Sequence, residues 1–84
     1  MIKSLALFAS AGIGEILLRD IGFETVVANE LIDKRMSLFS SVHPNCKCLT
    51  GDITDSAVYQ AIIEASKKAG VTNLIATPPC QGFS

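Results

Sequence analysis

Short apolar runs alternate with segments of helical period along this chain. Residues 3–9 form a compact apolar run followed by small residues, which predicts a buried strand too short to be a lone helix. The period then changes. Ile13, Ile16, Leu17 and Ile21 share one helical face, Glu15, Arg19 and Asp20 lie off it, and Gly22 stands where a helix C-terminal glycine belongs. Residues 24–29 (E-T-V-V-A-N) contain the β-branched cluster of a second strand. Residues 31–41 predict a helix with Ile32, Met36 and Phe39 inward, stopped by His43-Pro44-Asn45, and residues 46–50 predict a short third strand. Thr54 or Asp55 caps the longest helix, whose face carries Val58, Ala61, Ile62, Ala65 and Ala69. Lys67 and Lys68 suit its negative C-terminal end, and Gly70 ends it. Residues 72–77 (T-N-L-I-A-T) predict a fourth strand that runs straight into Pro78-Pro79-Cys80.

The resulting order, βαβαβαβ with short connections, predicts an α/β fold with a parallel sheet, right-handed crossovers and helices on both faces. A doubly wound sheet of this kind sets the strands in the order 3-2-1-4 and takes ligands beyond the C-terminal ends of strands 1 and 4, where the order reverses. Strand 4 then lies at an edge, although its apolar sequence suits a strand buried on both sides. The sheet is expected to be the partial, incomplete form of a doubly wound (Rossmann-like) fold, with its strand 4 edge open to self-association or to a missing partner.

Composition narrows the field. The chain has 84 residues, 49% of them apolar, with 7 Lys+Arg against 8 Asp+Glu and a formal net charge of -1. This is too apolar for a disordered chain. No apolar run approaches the roughly 20 residues of a membrane span, and no cleavage pattern follows the first run, so a soluble, intracellular protein is expected. Nothing here is basic enough to hold nucleic acid by phosphate neutralisation alone. A chain this short buries only about 60–65% of its unfolded surface, a thin margin usually offset by disulfides or a metal. Its 3 cysteines and single histidine assemble neither, since Cys46-Lys47-Cys48 is too tight for a zinc pair and His43 completes no ligand set. The chain is therefore expected to be part of a larger protein, with Cys46 and Cys48 as packing residues.

Four features fall on the predicted ligand rim. After strand 1, Ala9-Ser10-Ala11-Gly12-Ile13-Gly14-Glu15 opens a helix; Gly12 and Gly14 let backbone approach a ligand at a helix N-terminus, or simply make a tight turn. Only the first two glycines of a dinucleotide fingerprint are present. Glu30 ends strand 2, 18 residues after Gly12, where such folds hydrogen-bond ribose hydroxyls; the alternative is an ordinary solvated carboxylate. Asp52 follows strand 3 and either accepts from an adenine amino group, with Ile53 on the base, or caps the next helix. After strand 4, two prolines stiffen and a glycine bends the loop that holds Cys80 out over the pocket, a setting unlike that of a packing cysteine.

These residues carry a resemblance. Leu7-Phe8-Ala9-Ser10-Ala11-Gly12-Ile13-Gly14, Ala28-Asn29-Glu30, Gly51-Asp52-Ile53 and Pro79-Cys80-Gln81-Gly82-Phe83-Ser84 resemble the first four motifs of the DNA (cytosine-5)-methyltransferases, in order and at compatible spacing, over nearly the whole chain. The proline-cysteine-glutamine block is the most specific of them. The resemblance implies an S-adenosylmethionine-dependent domain acting on cytosine in DNA, in the prokaryotic cytoplasm and in a restriction-modification setting. It implies that Phe8, Gly12, Ile13 and Gly14 lie on the methionine and backbone side of S-adenosyl-L-methionine. Glu30 would hold the ribose hydroxyls, Leu31 the adenine, and Asp52 and Ile53 the adenine's amino edge and ring. Cys80 would be the nucleophile and Pro79 would shape its loop. A cysteine is needed because thiolate addition at C6 makes the otherwise unreactive C5 of cytosine enamine-like, once the base is flipped out of the duplex. A nearby sulfonium would favour the thiolate.

The pattern departs from the family at Ala6, where an acidic residue is usual, and at Ser10-Ala11, which alters the glycine loop by one or two residues. The family's later glutamate and arginine motifs, its target-recognition region and its last cofactor segment would lie beyond Ser84. Residues 1–84 are thus expected to be the N-terminal part of one catalytic domain, a truncation or one chain of a split enzyme, inactive without its C-terminal remainder or a complementary subunit, through which duplex DNA would be gripped. Other readings are an RNA cytosine-5 methyltransferase segment, a non-catalytic cofactor-binding module and, least well matched, a nicotinamide-binding domain.

Overall fold

A computed structural model describes residues 1–8 and 18–76. Within them the strands are β1 (Ile2–Leu7), β2 (Phe23–Glu30), β3 (Lys47–Thr50) and β4 (Asn73–Ala76), and the helices α1 (Asp33–Val42) and α2 (Ser56–Ala69). All pairs are parallel and the sheet order is β3-β2-β1-β4, the reversed-order arrangement expected from the alternating pattern. The helix expected over 13–21 and the ends of the first and fourth strands, Ala9 and Thr77, lie partly or wholly outside the described residues. Leu18 and Arg19 do end in a helical turn, with Gly22 N–H donating to the Arg19 carbonyl (3.1 Å) and φ of +97° at Gly22.

The core sits where α1 covers the sheet. Ala6 and Ala28 on β1 and β2 pack with Met36 and Phe39 of α1, and Cys46 and Cys48 close that cluster as packing residues. Small residues on the strands let the helix approach; the large ones come from the helix. His43 is buried just past α1, its ring 4.6 Å from that of Phe39. The alternation of a strand sends Val27 to the opposite side from Ala28. Val27 and, on α2, Ile62 are both buried, and α2 packs against β2 and β3.

Two expectations about helix faces are corrected. α1 starts at Asp33 rather than at residue 31, and Ile32, expected inward, is 42% exposed. Ile32 has extended backbone (φ -95°, ψ 119°), and its N–H is taken by the Glu30 side chain, so the corner after β2 is held out of the helix. On α2, Ala61 is exposed; the helix centres its buried face on Ile62, flanked by the half-buried Val58, Ala65, Ser66 and Ala69, about 100° of rotation per residue away from an Ala61-centred face. Of the two capping candidates, Asp55 is the cap: its side chain accepts from the N–H groups of Ala57 and Val58. At the other end, Gly70 takes left-handed φ (+73°).

Among the described residues, strand β4 pairs with β1 alone and forms one edge, where Leu74 is 60% exposed. Among the described residues, no helix is long and apolar enough to cross a membrane.

Candidate functional site

The parallel register sets Ala76, Leu7, Asn29 and Leu49 in one row across all four strands. Of the residues the sequence singled out, the described ones, Phe8, Glu30, Leu31, Asp52 and Ile53, follow or lie just beyond this row, at the C-terminal ends of the strands. That is where parallel α/β sheets present ligand-binding residues.

Phe8 follows β1 directly and has φ of +56°, a left-handed conformation that costs a bulky side chain of order 1–3 kcal/mol. The chain thus turns sharply as it leaves the central strand. Gly12, Ile13 and Gly14 lie outside the described residues.

Glu30 ends β2 and is 5% exposed. Its Oε2 accepts the Ile32 N–H at 2.9 Å, and its carbonyl accepts the Gly51 N–H at 3.1 Å. The solvated-carboxylate alternative for Glu30 is therefore ruled out: the group is buried and held by backbone. Leu31, next in the chain, is swung outward and is 62% exposed.

The exit from β3 is built differently. Gly51 has φ of +141°, and a Cβ there would stand 2.8 Å from Cγ2 of Val58 on α2, so only glycine fits. Asp52 is exposed. Its Oδ1 accepts both from Thr54 N–H (2.9 Å) and from Thr54 Oγ1 (2.7 Å), while its carbonyl accepts from Asp55 N–H (2.9 Å). The backbone and then the side-chain hydrogen bond from Thr54 hold the Asp52 carboxyl below its ordinary value, so it stays ionised. Asp52 therefore closes a turn ahead of α2, while Asp55 does the capping. Ile53 is half-buried beside it.

One residue at this rim was given no role of its own from sequence. Asn29 is 4% exposed, and its Nδ2 donates to the carbonyls of Leu49 (2.9 Å) and Gly51 (3.0 Å). The available signal was an asparagine, a residue depleted in strands, placed inside a buried one.

The structure thus brings Phe8, Glu30, Leu31, Asp52 and Ile53 to one edge of the sheet; Pro79 and Cys80 lie outside the described residues. Two carboxylates on adjacent strand ends, flanked by Leu31 and Ile53, suit a ligand with hydroxyl and amino donors at one side of a flat apolar ring. A cofactor built on adenosine has that chemistry. Among the described residues no group of three metal-ligating side chains comes together.

Comparison with known proteins gives a consistent result. The family model for C-5 cytosine-specific DNA methylase matches residues 2–84. The chain is 46% identical, over 83 residues, to the Type II methyltransferase M1.HgaI of Avibacterium volantium. The match takes in 99% of this chain but 23% of that relative, so the chain spans about a quarter of the relative's length.

Proposed function

The chain belongs to the C-5 cytosine-specific DNA methylase family, and from that premise we propose that residues 1–84 form the N-terminal part of a single catalytic domain that binds S-adenosyl-L-methionine and carries the nucleophile for methylation of cytosine C5 in duplex DNA. The observation that carries this reading is that Glu30 ends β2 opposite Thr50, with Asp52 two residues further along as the chain leaves β3, and that the left-handed Phe8 follows the next strand, β1. Glu30 takes the ribose hydroxyls. Asp52 uses its second oxygen for the adenine amino group, because Thr54 occupies only Oδ1. Leu31 and Ile53 cover the faces of the base. Phe8, Gly12, Ile13 and Gly14 are assigned to the methionine and backbone side of the cofactor.

S-adenosylmethionine, when bound, supplies the activated methyl group. Cys80, in its Pro79-shaped loop, supplies the thiolate: an S–C6 bond forms to the flipped cytosine and electron density moves to C5, which can then accept a methyl group. Loss of the C5 proton and breakage of the S–C6 bond release the product and restore the thiolate. The near-neutral charge of this segment supports a DNA grip supplied by a C-terminal remainder or a complementary subunit, for which the exposed β4 edge is the proposed docking line. The relative's description as a Type II methyltransferase supports a restriction-modification role in a prokaryotic cytoplasm.

Calorimetry on the intact protein tests the cofactor assignment. S-adenosylmethionine and S-adenosylhomocysteine should bind, and NAD should not; binding of NAD with no response to either adenosyl ligand would overturn it.

A further inference from the structure

The Asn29 side chain does more than fill its place in β2. Its amide donates to two carbonyls of the neighbouring segment, Leu49 at 2.9 Å and Gly51 at 3.0 Å. Gly51 is thereby held at both of its backbone groups by consecutive residues of β2: its N–H goes to the Glu30 carbonyl (3.1 Å), and its carbonyl takes the Asn29 amide. The peptide so clamped leads directly into Asp52. It also sits at φ +141°, where Val58 closes off the space a side chain would need. Glycine reaches that region freely and can leave it as freely, so hydrogen bonds to its neighbours decide where the peptide stays. Asn29, almost wholly buried, supplies the definition that ladder hydrogen bonds alone do not.

We propose that Asn29 is a positioning residue: by holding the Gly51 carbonyl it sets Asp52 relative to Glu30, and so determines how the two carboxylates together grip the adenosine end of the cofactor. The inference rests on the cofactor reading above. Asn29 touches no ligand itself. Its effect is confined to the spacing of two groups that do.

The test compares S-adenosylhomocysteine with its 2′-deoxyribose analogue, by calorimetry, on the intact wild-type protein and on Asn29→Ala. In the wild type, loss of the 2′-hydroxyl should cost about tenfold in affinity, the size of one hydrogen bond to a charged group. In Asn29→Ala the parent ligand should bind about tenfold more weakly and the deoxy penalty should shrink to about twofold, because the carboxylates no longer meet the adenosine in register. Asn29→Asp, nearly the same shape but unable to donate to two carbonyls, should behave like the alanine variant and serves where alanine impairs folding. A deoxy penalty still near tenfold in a folded variant would overturn the inference and leave the cofactor reading standing. Failure of the wild type to bind either ligand would overturn both.

Discussion

Thr54 donates twice to a single oxygen of Asp52, from its backbone N–H at 2.9 Å and from its hydroxyl at 2.7 Å. The carboxylate therefore stays ionised while its other oxygen remains oriented by the first. The backbone bond is the larger cause of the lowered pKa and the hydroxyl the second. Thr54→Val should move the Asp52 pKa part of the way back toward its ordinary 3.8, and carboxyl-carbon NMR titration reads this directly. Because the folded pKa is depressed, this turn contributes stability above the unfolded value that is lost as pH falls through the folded one. The acid limb of cofactor binding should accordingly shift to higher pH in the valine variant. An unchanged titration would refute the assignment.

Gly51 provides a test of packing at the same corner. Gly51→Ala combines a left-handed backbone with a 2.8 Å approach to Cγ2 of Val58, and should destabilise the intact protein by about 2–4 kcal/mol in denaturant unfolding. Adding Val58→Ala relieves the steric part and not the conformational part. The double variant should therefore recover some, but not all, of the loss attributable to alanine at 51, a coupling that a double-mutant cycle measures.

Glu30→Gln keeps an acceptor for the Ile32 N–H at nearly the same size, so the corner after β2 should survive. What changes is the charge offered to the ribose. Affinity for S-adenosylmethionine should fall about tenfold or more, with thermal stability little altered, since charged hydrogen bonds are worth about 1.5–3 kcal/mol. Equal affinities for wild type and variant would remove Glu30 from the cofactor site.

Cys80→Ala separates binding from chemistry. With the remainder of the enzyme present, methyl transfer to duplex DNA should be abolished while calorimetric binding of S-adenosylmethionine persists. Residues 1–84 alone should transfer no methyl group. Turnover by either would contradict the proposed division of labour.

Phe39 anchors the α1 side of the core, wholly buried among Ala6, Ala28 and Met36. Phe39→Ala should cost about 3–5 kcal/mol in unfolding free energy. His43, whose ring lies against it, should lose its shielded NMR environment in the same variant.

Much of this architecture was legible in the chain itself. Alternating apolar runs and helical periods, short connections and the handedness of parallel crossovers leave few topologies, and the order β3-β2-β1-β4 follows from them. Asp55 and Gly70 announced the limits of α2 by their local chemistry, and Glu30 and Asp52 stood at strand ends where that topology puts ligand groups. These are properties of residues and their near neighbours, and near neighbours are what a sequence displays. The tertiary structure alone decided that α1 begins after Ile32, that Ala61 faces out and that Asn29 reaches the carbonyls of Leu49 and Gly51. The reach of Asn29 and the roll of α2 depend on register between segments about 20 or more residues apart, which only their packing fixes. The start of α1 turns on the buried Glu30 side chain capturing the Ile32 N–H, which the apolar pattern does not display.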